Sequence, residues 1–128
     1  MALIVLDAGV VIALLDPNDP LHPAARAALA RHAGDELKLP ASAYVECLVG
    51  PARRGRLAAA RGAIAALLLD SVPITGQVAE EAAGLRARHP ALRLPDALVV
   101  ATGSVLGAAV VLTGDARWRG SGPSIRVL

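Results

Sequence analysis

Four acidic residues stand in stretches that are otherwise apolar. Asp7 ends LIVLD at 3–7 and Asp115 ends VVLTGD at 110–115. Asp96 interrupts LPDALVVATG at 94–103, and Glu46 lies within SAYVECLVG at 42–50. Each has an ordinary account when taken alone. Asp7 could cap a helix over 8–15, Asp115 could serve a turn, and Glu46 could face solvent. Asp96, just after Pro95, could complement a helix dipole, worth about 0.3–1 kcal/mol. The four placements together suggest convergence instead, and convergence has a cost. Two unit charges about 5 Å apart at an effective dielectric near 20 repel by roughly 3 kcal/mol. A cluster of carboxylates therefore needs protons or a cation. An all-oxygen donor set selects a hard ion, Mg²⁺ or Mn²⁺. Zinc is disfavoured, because Cys47 stands alone and His22, His32 and His89 show no paired ligand spacing. These histidines read as surface or cap residues. A carboxylate-held hard cation activates water and neutralises a phosphodiester, so the chemistry indicated is metal-assisted phosphoryl hydrolysis.

The elements that must position these residues follow from patterning. Short apolar runs predict strands at 3–6, 37–39, 72–74, 109–113 and 124–127. The first and fourth lack polar alternation, as strands covered on both faces do. Between them, Asp19–Pro20 or His22–Pro23 opens a helix to about Ala33, with Gly34 as its stop. Ser42 caps a short helix through Val49, broken by Gly50–Pro51. Leu57, Ala60, Ile64, Leu67 and Leu68 recur at helical spacing in 53–69. Thr75 caps a helix over 76–88, and Pro95 suits the first turn of one from 95 to 107. Strands alternating with helices predict an α/β fold, a mostly parallel sheet with helices on both faces. Ligands of such sheets bind beyond the carboxyl ends of the strands. Asp7 and Asp115 share that edge, and Asp96 joins them if its helix begins there. Glu46 shares a helical face with Ser42 and Gly50, away from Tyr44, Cys47 and Leu48. The loop DPNDPLHP at 16–23 is the richest in turn residues and a candidate flap.

Composition sets the bounds. A chain of 128 residues without repeats or linkers reads as a single domain over 1–128, and 55% hydrophobic content excludes wholesale disorder. Thirteen basic residues face 11 acidic ones for a net charge of +2, and all basic residues but Lys38 are Arg. That balance permits a nucleic-acid partner without requiring one. One cysteine cannot form an internal disulfide, and Cys47 among Val45, Leu48 and Val49 reads as a small core residue, which fits a reducing cytoplasm. The first residues lack the basic start of a signal peptide. Residues 97–114 are uncharged, yet they contain three glycines and are flanked by Asp96 and Asp115. They fit a buried helix followed by a buried strand better than a membrane span.

With these residues in view, the chain resembles the PIN-domain ribonucleases, specifically the VapC-type toxins of bacterial toxin–antitoxin pairs. The resemblance rests on VLDAGVVIALLD, SAYVECLVG, LPDALVVATG and VVLTGDARW, and it spans nearly the whole chain. It implies a three-layer α/β/α fold, endoribonuclease activity dependent on Mg²⁺ or Mn²⁺, RNA as substrate, a homodimer, and an inhibitory antitoxin partner. Carried over by position, Asp7, Asp96 and Asp115 look like metal ligands, and Glu46 like one acting directly or through water. Thr113 matches the family's hydroxyl residue two positions before the last aspartate, and it could hold the site through a hydrogen bond. Members often carry Ser or Thr just after the first aspartate, where this chain has Ala8 and Gly9; that departure removes a supporting hydroxyl and no ligand. Arg53, Arg54, Arg56 and Arg61 form the densest basic segment, suited to RNA phosphates or to a solvated helix face. Trp118 and Tyr44 could stack on bases but suit packing better. Competing readings are a phosphatase-like hydrolase using Asp7 as nucleophile, which lacks the usual second aspartate because Gly9 stands there, and a non-catalytic binding module of the same fold. A glycosidase pair would leave two of the four carboxylates idle.

Overall fold

The computed structural model describes residues 1–128 and gathers all five strands into one parallel sheet. Strand β1 (Leu3–Leu6) is central, flanked by β2 (Glu36–Pro40) and β4 (Val110–Thr113). Strands β3 (Asp70–Val72) and β5 (Ile125–Val127) form the two edges. Val5 pairs with Lys38 on one side and Val111 on the other. Ile4, Val5, Leu6, Val111 and Leu112 are buried, which accounts for the uninterrupted apolar runs of β1 and β4. The chain runs outward from β1 to β2 to β3 and then returns past β1 to β4 and β5. The order reverses between β1 and β4, so a crevice opens beyond their carboxyl ends.

Helices α1 (Ala8–Leu15), α2 (His22–Arg31), α3 (Ala41–Arg53) and α4 (Leu57–Ala66) serve the outward half. Helices α5 (Gly76–Arg88) and α6 (Leu94–Leu106) make the return. Right-handed crossovers in opposite directions place these two groups on opposite faces of the sheet, giving the three layers expected from the sequence. Helix α6 contacts β1, β2 and β4 while packing along α5. Its Ala97, Val99, Val100, Ala101, Thr102 and Gly103 are all buried. The uncharged stretch at 97–114 is thus a buried helix and a buried strand, and no helix is long and apolar enough to cross a membrane. Thr75 Oγ1 accepts the Val78 N–H at 3.2 Å to start α5, and Gly107, at φ 64°, closes α6 in the left-handed region.

Four expected features are changed. Helix α3 runs through Gly50–Pro51 to Arg53 rather than stopping at Val49. Proline's φ is helical, so its cost is one absent N–H near the helix end, and its own carbonyl accepts from Arg54 and Arg56 at 3.1 and 2.8 Å. Ser42 does not cap α3; Pro40 precedes the helix, and Ser42 Oγ is buried without a hydrogen-bond partner. The helix expected over 53–69 is split, because Gly55 turns the chain at φ 69° before α4 begins. Strand β3 lies at 70–72 instead of 72–74. Lys38 opposite Asp70 fixes that register with an Nζ–Oδ2 contact of 2.9 Å, and Pro73 has no N–H to continue the ladder.

The close approach of α6 to β4 depends on Gly103, where an added Cβ would collide with Val111 Cγ2. Gly103→Ala is expected to destabilise by about 1–3 kcal/mol through overpacking. Gly62→Ala, on the exposed side of α4 with nothing within 4 Å, is expected to be neutral or to stabilise by up to about 1 kcal/mol. Thermal denaturation of the two variants, followed by circular dichroism, checks the contrast.

Candidate active site

The site is built from the end of β1. The Asp7 N–H donates to the Leu112 carbonyl at 2.9 Å, carrying the β1–β4 ladder one residue past β1. Asp7 is also the N-cap of α1, and its Oδ1 accepts the Ala8 N–H at 2.8 Å. Its other oxygen, Oδ2, accepts the hydroxyl of Thr113 at 2.9 Å. Thr113 is fully buried at the end of β4, and its Oγ1 in turn accepts the Asp115 N–H at 3.1 Å. One hydroxyl therefore ties the acidic ends of the two central strands together. The capping role weighed for Asp7 and the shared-edge role are compatible: one oxygen caps while the other meets Thr113.

Asp96 lies in the first turn of α6, which starts on this edge, and it is only 6% exposed. Its Oδ2 meets Arg93 Nε at a long 3.4 Å. Glu46, midway along α3, is solvent-exposed. Its carboxyl is nonetheless pushed up, first by partial burial and then by the charge of Asp96, with Arg93 pulling the other way. Burial is the main force on Asp7, which is raised to about 6 against the opposing hydrogen bonds of Thr113 and Ala8; the charges of Asp96 and Glu46 add to the rise. These mutual effects place Asp7, Glu46 and Asp96 within one electrostatic neighbourhood.

Asp115 is placed differently. It caps the 3₁₀ turn Ala116–Trp118 that follows β4, and Arg117 from that turn folds back onto it. Arg117 Nε reaches Oδ1 and Oδ2 at 3.0 and 3.1 Å, and Nη2 reaches Oδ2 at 2.6 Å. The side-chain hydrogen bond from Arg117 holds the Asp115 carboxyl below the usual carboxylate range, against the effect of burial. Arg93 and Arg117 are the residues that sequence reasoning missed. The signal was present, since each lies two or three positions from a site aspartate, but the denser arginines at 53–61 drew attention instead. Those four are exposed, and none pairs with a carboxylate.

The donor chemistry fits a hard divalent cation: oxygen ligands only, on a sheet edge where burial raises Asp7 and the charges of Asp96 and Glu46 add to the rise. The ligands are not closed into a cage, as no three acidic, histidine or cysteine side chains stand at metal-holding spacing. Cys47 is no donor. It is buried, its Sγ leans on the Ala8 carbonyl at 3.8 Å, and burial followed by the charges of Asp7 and Glu46 pushes the thiol up to about 12. His22 tethers the preceding loop through Nδ1 to the Ala13 carbonyl at 2.6 Å. That loop is closed by Asp16 and Asp19, whose Oδ1 atoms accept the Asn18 and Leu21 N–H groups at 2.9 and 2.8 Å. Its Leu21 presses on Gly114, where a Cβ would lie 2.6 Å from Leu21 Cδ2. The candidate flap therefore rests directly on the β4–Asp115 junction. Trp118 is fully buried and packs beneath the turn rather than offering a stacking face.

Known proteins share this fold. A toxin–antitoxin complex from Klebsiella pneumoniae superposes with a TM-score of 0.79 at 20% identity, over 97% of this chain and 96% of that one. A DNA-bound VapBC from Salmonella typhimurium gives 0.75 at 17% identity, over 100% and 98%. A sarcin–ricin-loop-cleaving VapC toxin of Mycobacterium tuberculosis gives 0.70 at 21% identity, over 91% and 95%. Among curated proteins no sequence relative matches. The PIN domain family itself matches residues 4–120, from the middle of β1 past the Trp118 turn, so all four carboxylates and their strand scaffold fall within the match, and the chain belongs to the PIN-domain family.

Proposed function

We propose that this chain is a divalent-metal-dependent endoribonuclease and the toxin of a toxin–antitoxin pair. The observation that carries the reading is Asp7: a half-buried carboxylate at the β1/β4 reversal, fixed by two hydrogen bonds and raised to about 6 with Asp96 and Glu46 bearing on it. Asp7, Asp96 and Asp115 would hold Mg²⁺ or Mn²⁺, with Glu46 acting directly or through water. The bound ion would supply charge neutralisation at the phosphodiester and a more acidic water. The chain's own part is positional. Thr113 and the Ala8 N–H set the direction of the Asp7 oxygens, the start of α6 fixes Asp96, and Glu46 on the open side orders water. The solved relatives include toxin–antitoxin complexes and a toxin that cleaves the sarcin–ricin loop, which supports RNA as substrate and a small protein as partner.

Purified protein is expected to cleave total cellular RNA with Mg²⁺ or Mn²⁺ and not with EDTA. Asp96→Asn keeps the side-chain shape but loses the charge, and should lower the rate by at least about a hundredfold while leaving the fold intact. Full activity of metal-loaded Asp96→Asn would refute the assignment.

The raised Asp7 gives a pH signature in metal-free protein. Between the unfolded value of 3.8 and the folded value of about 6, the unfolded chain ionises more readily, so stability falls as pH rises. The loss is complete above the folded value and amounts to about 3 kcal/mol. Asp7→Asn should therefore melt above wild type at pH 7 in EDTA, and that advantage should shrink as pH falls toward 4. A difference in melting temperature that is independent of pH would exclude ionised Asp7 as its source.

Exposed Ile12 and Leu15 on α1 and Val45 and Val49 on α3 lie on two helices that pack together beside the pocket. That apolar area suits a second copy of the chain and an antitoxin segment. Light scattering should report a homodimer, and co-expression with the adjacent open reading frame should yield a complex whose RNA cleavage is suppressed.

A further inference from the structure

A carboxylate offers about four lone-pair positions, and Asp115 receives three N–H donors from within its own turn, the Nε–H being shared between its two oxygens. Oδ1 accepts the Arg117 backbone N–H at 2.9 Å and Nε at 3.0 Å; Oδ2 accepts Nε at 3.1 Å and Nη2 at 2.6 Å. Nothing of the kind happens at the other acidic residues of the pocket. Asp96 has one long contact to Arg93, Asp7 has one neutral donor on each oxygen, and Glu46 has no hydrogen-bonded partner. Asp115 also differs in its anchoring. Its backbone N–H is fixed to Thr113, whereas the arginine that clasps it is 58% exposed and free to swing into water.

We propose that Arg117 is a resident counter-cation of the acidic pocket, which occupies Asp115 in the metal-free protein and must leave before Asp115 can ligate a metal. The inference rests on the metal-dependent reading above and adds a gate to it. Departure of the guanidinium frees Oδ2 completely and leaves Oδ1 with the backbone N–H alone. The carboxylate thus stays oriented by its turn and gains an open oxygen. The exchange replaces one cation with another, so the pocket never carries the bare repulsion of its carboxylates. Metal affinity is lowered by whatever the Arg117–Asp115 fork contributes, and the apo protein is stabilised by the same amount.

The test is direct Mn²⁺ binding, by calorimetry and by the loss of the free Mn²⁺ resonance, without substrate. Arg117→Gln removes the fork; Arg119→Gln removes the same charge from an exposed neighbour that has no contact with Asp115. Arg117→Gln is expected to bind Mn²⁺ roughly two- to fivefold more tightly, the range an exposed forked pair would oppose. Its melting temperature in EDTA should be lower than that of wild type and should rise more on adding Mn²⁺. Arg119→Gln should match wild type. A merely structural role for Arg117 would loosen the metal instead, so equal or weaker Mn²⁺ binding by Arg117→Gln overturns the proposal. Equal tightening in Arg119→Gln overturns it as well, by reducing the effect to net charge. Failure of the nuclease reading is separate: wild type would show no metal-dependent RNA cleavage, whatever the affinity of Arg117→Gln.

Discussion

The Thr113 hydroxyl is the joint on which the acidic edge is assembled. It has one proton, given to Asp7, and its oxygen receives the Asp115 N–H. Both partners therefore depend on β1 and β4 lying side by side in the observed register, where Leu6 faces Leu112. That register is set by side chains that never touch the pocket. The buried faces of β1 and β4, the close seat of α6 at Gly103, and the burial of Trp118 under the following turn all hold the two strand ends level. A slip of one residue would turn Thr113 to the other face of the sheet.

Around this joint, charge is distributed unevenly. Asp7 is half-buried and carries the cost of partial burial, Asp96 is buried in a helix turn with one long arginine contact, and Glu46 stands in solvent. Asp115 is the one that carries its own neutralising group. A pocket of this kind is neither a finished metal cage nor an ordinary salt-bridge network. It has one side where a proton or cation is wanted and one side already satisfied. On the core side, Cys47 Sγ meets the carbonyl of Ala8, the residue next to Asp7, at 3.8 Å.

Much of this was legible in the sequence because burial writes itself into composition. Uninterrupted apolar runs at β1, β4 and α6 identified the buried elements, and the charges ending or opening those runs marked the carboxyl edge. Asp7 at the end of LIVL could be placed on that edge from patterning, whereas Asp96 after Pro95 reached it only on the condition that its helix begins there, as α6 does. What escaped were features decided by neighbours remote in sequence or by single bonds. Pro51 was read as a helix stop, although a helix near its end loses only one bond to it. The position of β3 depends on Lys38, more than thirty residues earlier, meeting Asp70. Arg117 was overlooked because a charge two residues from a carboxylate faces it only in a tight turn, and that turn exists because Asp115 caps it.

The joint also has a direction in time. Thr113 and Asp7 are 106 positions apart, so β1 finds this partner only after both halves of the sheet's connections have been made. Synthesis delivers β1, β2 and β3 before β4, with the outward half of the sheet able to form around them. The central strand must wait with one edge open, and the Asp7 carboxylate waits with it, lacking its hydroxyl donor and the acidic neighbours of α6 and the final turn. A nascent chain therefore holds Asp7 apart from Thr113 until β4 has been made, so the pocket cannot form before the return half of the sheet is in place.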